Sequence, residues 1–204
     1  MHDLPNLEDG VRLLGADYYN HFNEHFWQTG RPGFWKLERL QHFEEPGDES
    51  WVAFDRGDWH HSLALLEERR PALHTHYAKI ANAKFETFRI RVVEHPLTEY
   101  MQWELHLLHL RDQLGGYTRI LPVHEVRQFE EESRLPELIT LGNDVMYEIL
   151  YDENGLQEGG VLHTGVSLIA RCREFIKSLY EKGEPISTYF GREVEPLEPP
   201  LRSR

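Results

Sequence analysis

The sequence predicts an α/β fold, in which a single domain has one mixed sheet covered by helices. Two observations lead to this prediction. Segments with the alternation of a strand occur between segments whose apolar residues recur at helical spacing. Each helical segment has an apolar stripe that needs a surface to cover, and 204 residues with 40% apolar content suit one core. We expect the domain to span residues 1–190 and a proline-rich, extended or disordered tail to follow over 191–204.

The elements of the first half are separated by turn residues. A helix is expected from about Asp9 to Gln28, because its apolar residues form one stripe. After the turn Gly30–Gly33, a strand is expected over Phe34–Leu40, and an acidic loop follows over 44–49. Two helices and a strand are then predicted at about Asp58–Arg70, Pro71–Ala83 and Phe88–Val93.

The next helix has a glutamate in the middle of its apolar face. Pro96 opens this helix at a position where a missing N–H costs nothing, and Gly115–Gly116 closes it. Glu104 lies near the centre of the apolar arc, with Arg111 close by. A carboxylate in that position should be buried and paired with a cation.

The second half predicts a strand, a helix, a hairpin and a closing helix. Pro122 should stop the strand, and the turn Asp152–Gly155 should join the two strands of the hairpin. The expected bounds are about Tyr117–Leu121, His124–Arg134, Val145–Tyr151 with Leu156–Leu162, and Val166–Glu181. Strands that follow one another through helices indicate some parallel pairing.

Five charged residues form the predicted ligand-binding site: Arg89, Arg91, Glu104, Arg111 and Arg119. Alternation sends Arg89 and Arg91 to one face of their strand. Strands linked through a helix often lie side by side, so either arginine is expected to approach Arg119, with Glu104 as the counterion. Such a cluster is either a buried Arg–Glu network that holds helix on sheet, which we favour, or a pocket that clasps an anion.

Composition excludes several classes of partner. A net charge of −13 leaves no broad basic surface, so nucleic acid is an unlikely partner. No apolar run has the length of a membrane span, and the N-terminus lacks a secretion signal, which predicts no membrane association and a cytoplasmic location. The single cysteine, Cys172, lies on an apolar stripe and is expected to be an inert core thiol.

The motifs of metal sites and of common catalytic sites are missing. His106 and His109 have a spacing that can hold a metal, but we expect them on the solvated side of the central helix. His21 and His25 lack the metalloprotease order. The sequence contains no nucleophile elbow, phosphate loop or dinucleotide fingerprint. We therefore expect neither a metal nor another cofactor, and the catalytic residues, if any exist, are unknown.

Several short segments carry a family resemblance. They are Phe34–Glu38, Phe88–Val93, Pro96–Tyr100, Trp103–Leu105 and Gly115 with Arg119–Pro122. These segments resemble an actinobacterial family catalogued only as a domain of unknown function, whose members are often encoded near helix-turn-helix regulators. The resemblance extends from about Val11 to Phe190, but Arg111 stands where the family has an asparagine.

The order of elements is also similar to half of a phospholipase-D-like domain. The chemistry of that fold needs a His-x-Lys signature with an aspartate after it. The nearest match is His76 with Lys79, inside a predicted helix, and Lys84 stands where the aspartate would be. We therefore expect neither phosphodiesterase nor nuclease activity.

Three function classes remain open. The first is a non-catalytic module that binds a small anionic ligand or a co-encoded protein partner and has a sensory or regulatory role. The second is an enzyme of specialised metabolism that holds an anionic substrate with its arginines, with Glu104 or a nearby histidine as proton carrier. The third is a toxin–antitoxin-like interaction protein, whose acidic surface would meet a basic partner.

Overall fold

One mixed sheet of eight strands lies at the centre of the described part of the chain. The computed structural model describes residues 3–7 and 10–200. The strands are β1 (Val11–Leu14), β2 (Phe34–Glu38), β3 (Thr87–Val93), β4 (Gly116–Pro122), β5 (Leu138–Leu141), β6 (Val145–Tyr151), β7 (Gln157–His163) and β8 (Glu184–Pro185). The α-helices are α1 (Gly15–Phe26), α2 (Glu49–Asp55), α3 (Trp59–Glu68), α4 (Arg70–Asn82), α5 (Glu99–Asp112), α6 (Val166–Lys182) and α7 (Ile186–Glu193).

Parallel and antiparallel pairs share this sheet, in the order β1-β7-β6-β5-β2-β3-β4-β8. The central strands β2, β3 and β4 are parallel to one another, and the other pairs are antiparallel. Parallel neighbours need a crossover connection. Helices α2 to α4 connect β2 to β3, and α5 connects β3 to β4. The predicted fold class, one mixed sheet covered by helices, is confirmed.

The two faces of the sheet differ in character. On one face, Leu37, Ile90 and Leu121 pack against Phe175 and other apolar residues of α6. On the other face, α5 and α1 cover two separate apolar clusters. The charged residues of β2 and β3 lie on this second face, because they alternate with the residues that face α6.

Helix α5 is buried on nearly all sides, which corrects the expectation of a solvated face. Thr98 caps it by accepting the Met101 N–H at 3.0 Å. The side on which His106 and His109 lie is covered by α7, whose Phe190 ring is 4.8 Å and 4.2 Å from the two imidazoles. The polar residues on this side did not indicate this contact, because His106 and His109 pack against aromatic rings and are only partly exposed to water.

The N-terminal segment is partly a strand where a helix was predicted. β1 pairs with β7, and α1 begins only at Gly15. The strand gains its backbone hydrogen bonds from a segment far along the chain, which the local apolar stripe cannot reveal. Asp9, where the predicted helix began, lies outside the described residues.

Three further elements differ from the predictions. The acidic loop contains part of α2, which Asp48 caps by accepting the Ser50 and Trp51 N–H groups. The segment predicted as a polar helix forms only two 3₁₀ turns, Val123–Glu125 and Arg127–Phe129, because it has no apolar stripe to bury. β5 was not predicted, since four residues are too few to show a period.

Several of the described residues beyond 190 pack on the domain. Helix α7 continues to Glu193, and Val194 is 1% exposed. Further on, the Glu198 carbonyl accepts a hydrogen bond from Gln102 at 2.9 Å. The last four residues of the predicted tail, 201–204, lie outside the described residues.

Two other predictions concern the interior and the surface. Cys172 is fully buried beside Met146 and Ile169, and burial raises the pKa of its thiol to about 11, as expected of an inert core thiol. No helix in the described part of the chain combines the length and the apolar character that crossing a membrane requires.

Gly159 is expected to be required for the close pairing of β7 with β1. Its φ is +156°, and a Cβ at this position would lie 2.1 Å from the Leu13 carbonyl oxygen. The obstacle is backbone, so Gly159→Ala should force the strands apart and cost about 2 kcal/mol in chemical denaturation. Gly47→Ala is the control, since nothing lies within 4 Å of the added methyl group. Equal stability of both variants would contradict the close approach of the strands.

Candidate functional site

The centre of the charged face is built by the parallel pairing of β2 with β3. Lys36 is in register with Arg89, and Glu38 is in register with Arg91. Side chains of paired residues point to the same side of a sheet. Two residues on each strand therefore place three cations and one carboxylate beneath α5.

Glu38 is the carboxylate that joins two of these cations. Its side chain is 3% exposed, and its carboxylate forms ion pairs with both Lys36 and Arg89. Burial alone would raise its pKa. The positive charges of Arg89, Lys36 and Arg91 outweigh that effect and hold the pKa of Glu38 well below its usual range. Glu38 is therefore expected to be ionised at neutral pH and to hold Lys36 and Arg89 in place.

Glu104 and Arg91 form a second, sealed ion pair. The Arg91 Nε–H donates to Glu104 Oε2 at 2.7 Å, and the side chains are 0% and 5% exposed. Arg91 also lies over the Phe43 ring and contacts the Met101 sulfur. The prediction that Glu104 is buried and paired with one of the arginines is confirmed. Burial raises the pKa of Glu104, and the attraction of Arg91 opposes that rise.

Two adjoining cavities open beside these ion pairs. The first, here called the charged cleft, has a volume of about 390 Å³ and runs from Glu38 and Glu104 to the loop Glu44–Asp48. The second, here called the aromatic chamber, has a volume of about 430 Å³ and lies against α1 and α4. Both volumes are in the range of small-molecule sites. The walls shared by the two cavities are Tyr19, Lys36, Arg89, Arg111 and Gln157.

Arg111 lies at the junction of the two cavities and has no carboxylate partner among the residues that the structure describes. Its Nε is buried and has no hydrogen-bond acceptor among the described residues. Its charge is close enough to His76, in the wall of the aromatic chamber, to help lower the pKa of that imidazole, although burial of His76 is the larger cause. A guanidinium with a buried, unsatisfied donor is an open position for an anion.

Arg119 does not join this group. It is in register with Ile90, which faces α6, so Arg119 lies on the opposite side of the sheet from Arg89 and Arg91. Its guanidinium donates to the carbonyls of Tyr180, Glu181 and Gly183 at 3.3 to 3.4 Å and lies over the Tyr180 ring. The expectation that it would approach the other arginines was wrong, because Arg119 is offset by one residue from the partners of Arg89 and Arg91, and successive residues of a strand point to opposite faces.

Lys36 and Glu38 belong to the site but were not among the predicted site residues, although the sequence of their strand contains a signal for them. In Phe34–Glu38, Lys36 and Glu38 alternate with the apolar residues Trp35 and Leu37, which is the pattern of a strand with one charged face. The aromatic chamber carried no such signal, since its walls come from α1, α4, α5 and five strands.

The histidines form no metal centre in the described part of the chain, where no group of three or more His, Cys, Asp or Glu residues could hold an ion. The rings of His21 and His25 stack at 4.1 Å. Nδ1 of His21 makes a hydrogen bond of 2.6 Å with the Tyr147 hydroxyl, and Nδ1 of His25 lies 2.8 Å from the His21 carbonyl. These contacts occupy one nitrogen of each ring in the packing of α1.

Comparison with known proteins places most of the chain in one family. A family model described as a domain of unknown function (DUF6879) matches residues 20–191. A search of curated proteins found no match, and a search of solved structures found none. The match confirms the expected relation to an uncharacterised family.

Proposed function

We propose that this chain, which belongs to the DUF6879 family of domains of unknown function, is a non-catalytic module that binds a small anionic ligand in the charged cleft. The observation that carries the proposal is the buried Nε–H of Arg111, which has no acceptor among the described residues and lies at the wall shared with Lys36 and Arg89. We also propose that the module has a sensory or regulatory role and that the family is actinobacterial. The proposed similarity of the fold to half of a phospholipase-D-like domain without its catalytic signature supports a non-catalytic role.

Arg111 is the cation of the cleft that remains open to an anion. The cleft is lined by Lys36, Arg89 and Arg111 together with five carboxylates, of which Glu38 lies between Lys36 and Arg89 while Glu104 pairs with Arg91. The buried Nε–H of Arg111 has no acceptor among the described residues. Cations held in a partly dry cleft attract an anion much more strongly than cations in water do.

The acidic loop on the opposite wall has partners of its own. Asp48 forms an ion pair with Arg69 at 2.5 Å, and Glu44 bonds His42 at 3.1 Å. Glu45 accepts the Tyr100 hydroxyl at 2.7 Å, and burial raises the pKa of its carboxyl group. These contacts reduce the competition between the loop and a bound anion for Arg111.

The lining of the charged cleft supports binding rather than catalysis. Among the described residues, none of the side chains that line this cleft is serine, threonine, cysteine or histidine. The lining therefore lacks the hydroxyl, thiol and imidazole pairs on which the common nucleophile–base mechanisms depend. The carboxylate of Glu104 is committed to Arg91.

Arg111→Gln is expected to weaken anion binding about tenfold or more, because a charge-assisted hydrogen bond contributes roughly 1.5–3 kcal/mol. Calorimetric titration with sodium acetate and with inorganic phosphate, at fixed ionic strength, would measure the effect. Arg171→Gln is the matched control, since Arg171 is exposed on α6, away from the cleft. Arg89→Ala should also weaken binding more than Arg171→Ala. Equal affinity of Arg111→Gln and the unmodified chain for both anions would refute the proposal.

The enzyme alternative is favoured by one observation, the position of His76 in the wall of the aromatic chamber. Burial and the charges of Arg111 and Lys79 lower the pKa of His76, so its neutral ring can accept a proton at pH 7. Turnover of generic phosphodiester substrates that disappears in His76→Ala or Lys79→Ala would establish this alternative over a binding module. We expect no such turnover.

A further inference from the structure

The aromatic chamber adjoins the charged cleft, and its walls have a different chemistry. Ring side chains from α1 and α4 dominate it, among them Phe22, Phe26, Trp27 and His76. The Phe26 ring lies 5.7 Å from Phe22 and 6.0 Å from His76, and it is nearly parallel to the latter at 11°. The strand side is formed by Phe34 of β2, whose ring is 5.9 Å from Phe26. These distances are typical of aromatic contacts.

The rings are accessible although they surround a concave space. Phe22, Phe26 and Trp27 are only partly buried, whereas comparable rings in the core, such as Phe54 and Phe175, are 1% and 0% exposed. Apolar surface that remains wet in a cavity of about 430 Å³ becomes favourable to bury when a ligand enters. Flat aromatic walls select flat aromatic ligands, because rings prefer offset-stacked or edge-to-face contacts.

The chamber and the cleft adjoin at a shared wall. Lys36, Arg89 and Arg111 line both cavities, so an anionic group at these cations lies at the mouth of the chamber. We propose that the ligand is an aromatic anion, whose planar ring system lies among the rings of the chamber while its carboxylate or phosphate group contacts Arg111. This inference rests on the proposed function and identifies the chemical class of its ligand.

Four probes distinguish the contribution of the aromatic ring to binding from that of the negative charge. They are 2-naphthoate, 2-naphthyl phosphate, the neutral 2-naphthalenemethanol, and acetate, each titrated into the full chain by calorimetry. We expect the two naphthyl anions to bind at least about tenfold more tightly than acetate and than the neutral alcohol, because only they use both cavities. The tighter of the two anions identifies the acidic group that the cleft prefers, and either order supports the inference.

Variants of the chamber test the position of the ring. Phe26→Ala should weaken the binding of 2-naphthoate about tenfold and change the binding of acetate less than about twofold. Phe129→Ala, which removes a partly buried ring near α6, is the matched control and should change neither. Phe26→Ala could perturb the packing of α1, so Asn23→Trp provides a second test. Asn23 is an exposed residue in the chamber wall, and a larger side chain there should block naphthoate without removing a core contact.

Fluorescence gives an independent readout of the same site. Naphthoate bound among the rings should quench Trp27, and Trp27→Phe should abolish most of this quenching while binding by calorimetry persists.

The possible failures are distinguishable. Acetate binding that depends on Arg111, together with naphthyl anions that bind no more tightly than acetate, would overturn the aromatic ligand and leave the proposed function standing. Equal binding of the neutral alcohol and 2-naphthoate, both unaffected by Arg111→Gln, would overturn both proposals.

Discussion

Glu104→Ala is expected to lower the free energy of unfolding by about 3 kcal/mol, because it strands a buried guanidinium. Arg91 is 0% exposed, and its Nε–H donates to Glu104 at 2.7 Å. Without the carboxylate, Arg91 loses its hydrogen-bonded counterion and keeps the more distant charges of Glu38 and Glu137 and contacts with uncharged groups such as the Met101 sulfur. Chemical denaturation monitored by circular dichroism would measure the loss.

An exposed ion pair provides the control for this prediction. Glu67 pairs with Arg70 on the surface at 2.9 Å, and its side chain is 60% exposed. Glu67→Ala should cost less than about 1 kcal/mol, since water replaces the lost partner. The double variant Arg91→Met with Glu104→Ala should be less destabilised than the sum of the single variants, because neither charge is then left alone. Additive losses, or a Glu104→Ala variant as stable as the unmodified chain, would contradict the sealed pair.

Glu137→Gln is expected to stabilise the protein at pH 8 by up to about 3 kcal/mol and to have little effect at pH 5. Glu137 is 3% exposed, and one carboxyl oxygen accepts the N–H groups of Arg39 and Leu40, both at 2.6 Å. The other oxygen has no partner among the described residues. Burial, reinforced by the charge of Glu38, raises the pKa of Glu137 from 4.5 to about 7.

The sign follows from the number of protons held by each state. Between pH 4.5 and about 7 the folded protein keeps the proton of Glu137 while the unfolded chain has lost it. Stability that depends on this group is therefore lost as the pH rises through that window, and it levels off above pH 7. Glutamine resembles the protonated carboxyl group and has no proton to lose in this range, so its variant should lack this part of the decline.

Denaturation curves at several pH values from 5 to 8 would measure the difference between the two chains. Glu132→Gln, at an exposed position, should leave the pH dependence unchanged and serves as the control. Parallel stability profiles for Glu137→Gln and the unmodified chain would mean that Glu137 is ionised in the folded protein throughout the range.

Local spacing predicted those parts of the site that lie within one element. The position of Glu104 on the apolar arc of α5 predicted its burial, and alternation on β3 predicted that Arg89 and Arg91 share a face. Both predictions depend only on the geometry of a helix or a strand. Arg111 was also named from its place on the helix, but its lack of a partner became evident only from the position of the neighbouring elements.

Predictions that required contacts between distant segments were less successful. The face on which Arg119 lies depends on its register with Ile90, and a shift by one residue would reverse it. The polar side of α5 gave no sign that α7 covers His106 and His109. Lys36 was not predicted as a site residue, because its proximity to Arg89 follows from the pairing of β2 with β3, which the local sequence does not show.

The sequence by itself determined the fold class, most of the helices and strands, and a buried carboxylate on the central helix, because periodicity and turn residues act within a few neighbouring positions. Only the tertiary structure decided which charges meet. Strand pairing places Lys36 and Glu38 beside the arginines of β3 and leaves Arg119 on the face that α6 covers. Helix packing brings rings of α1, α4 and β2 together in the aromatic chamber. The physical reason is that strand register and helix packing are set by contacts between segments far apart in the chain, whose partners no local pattern records.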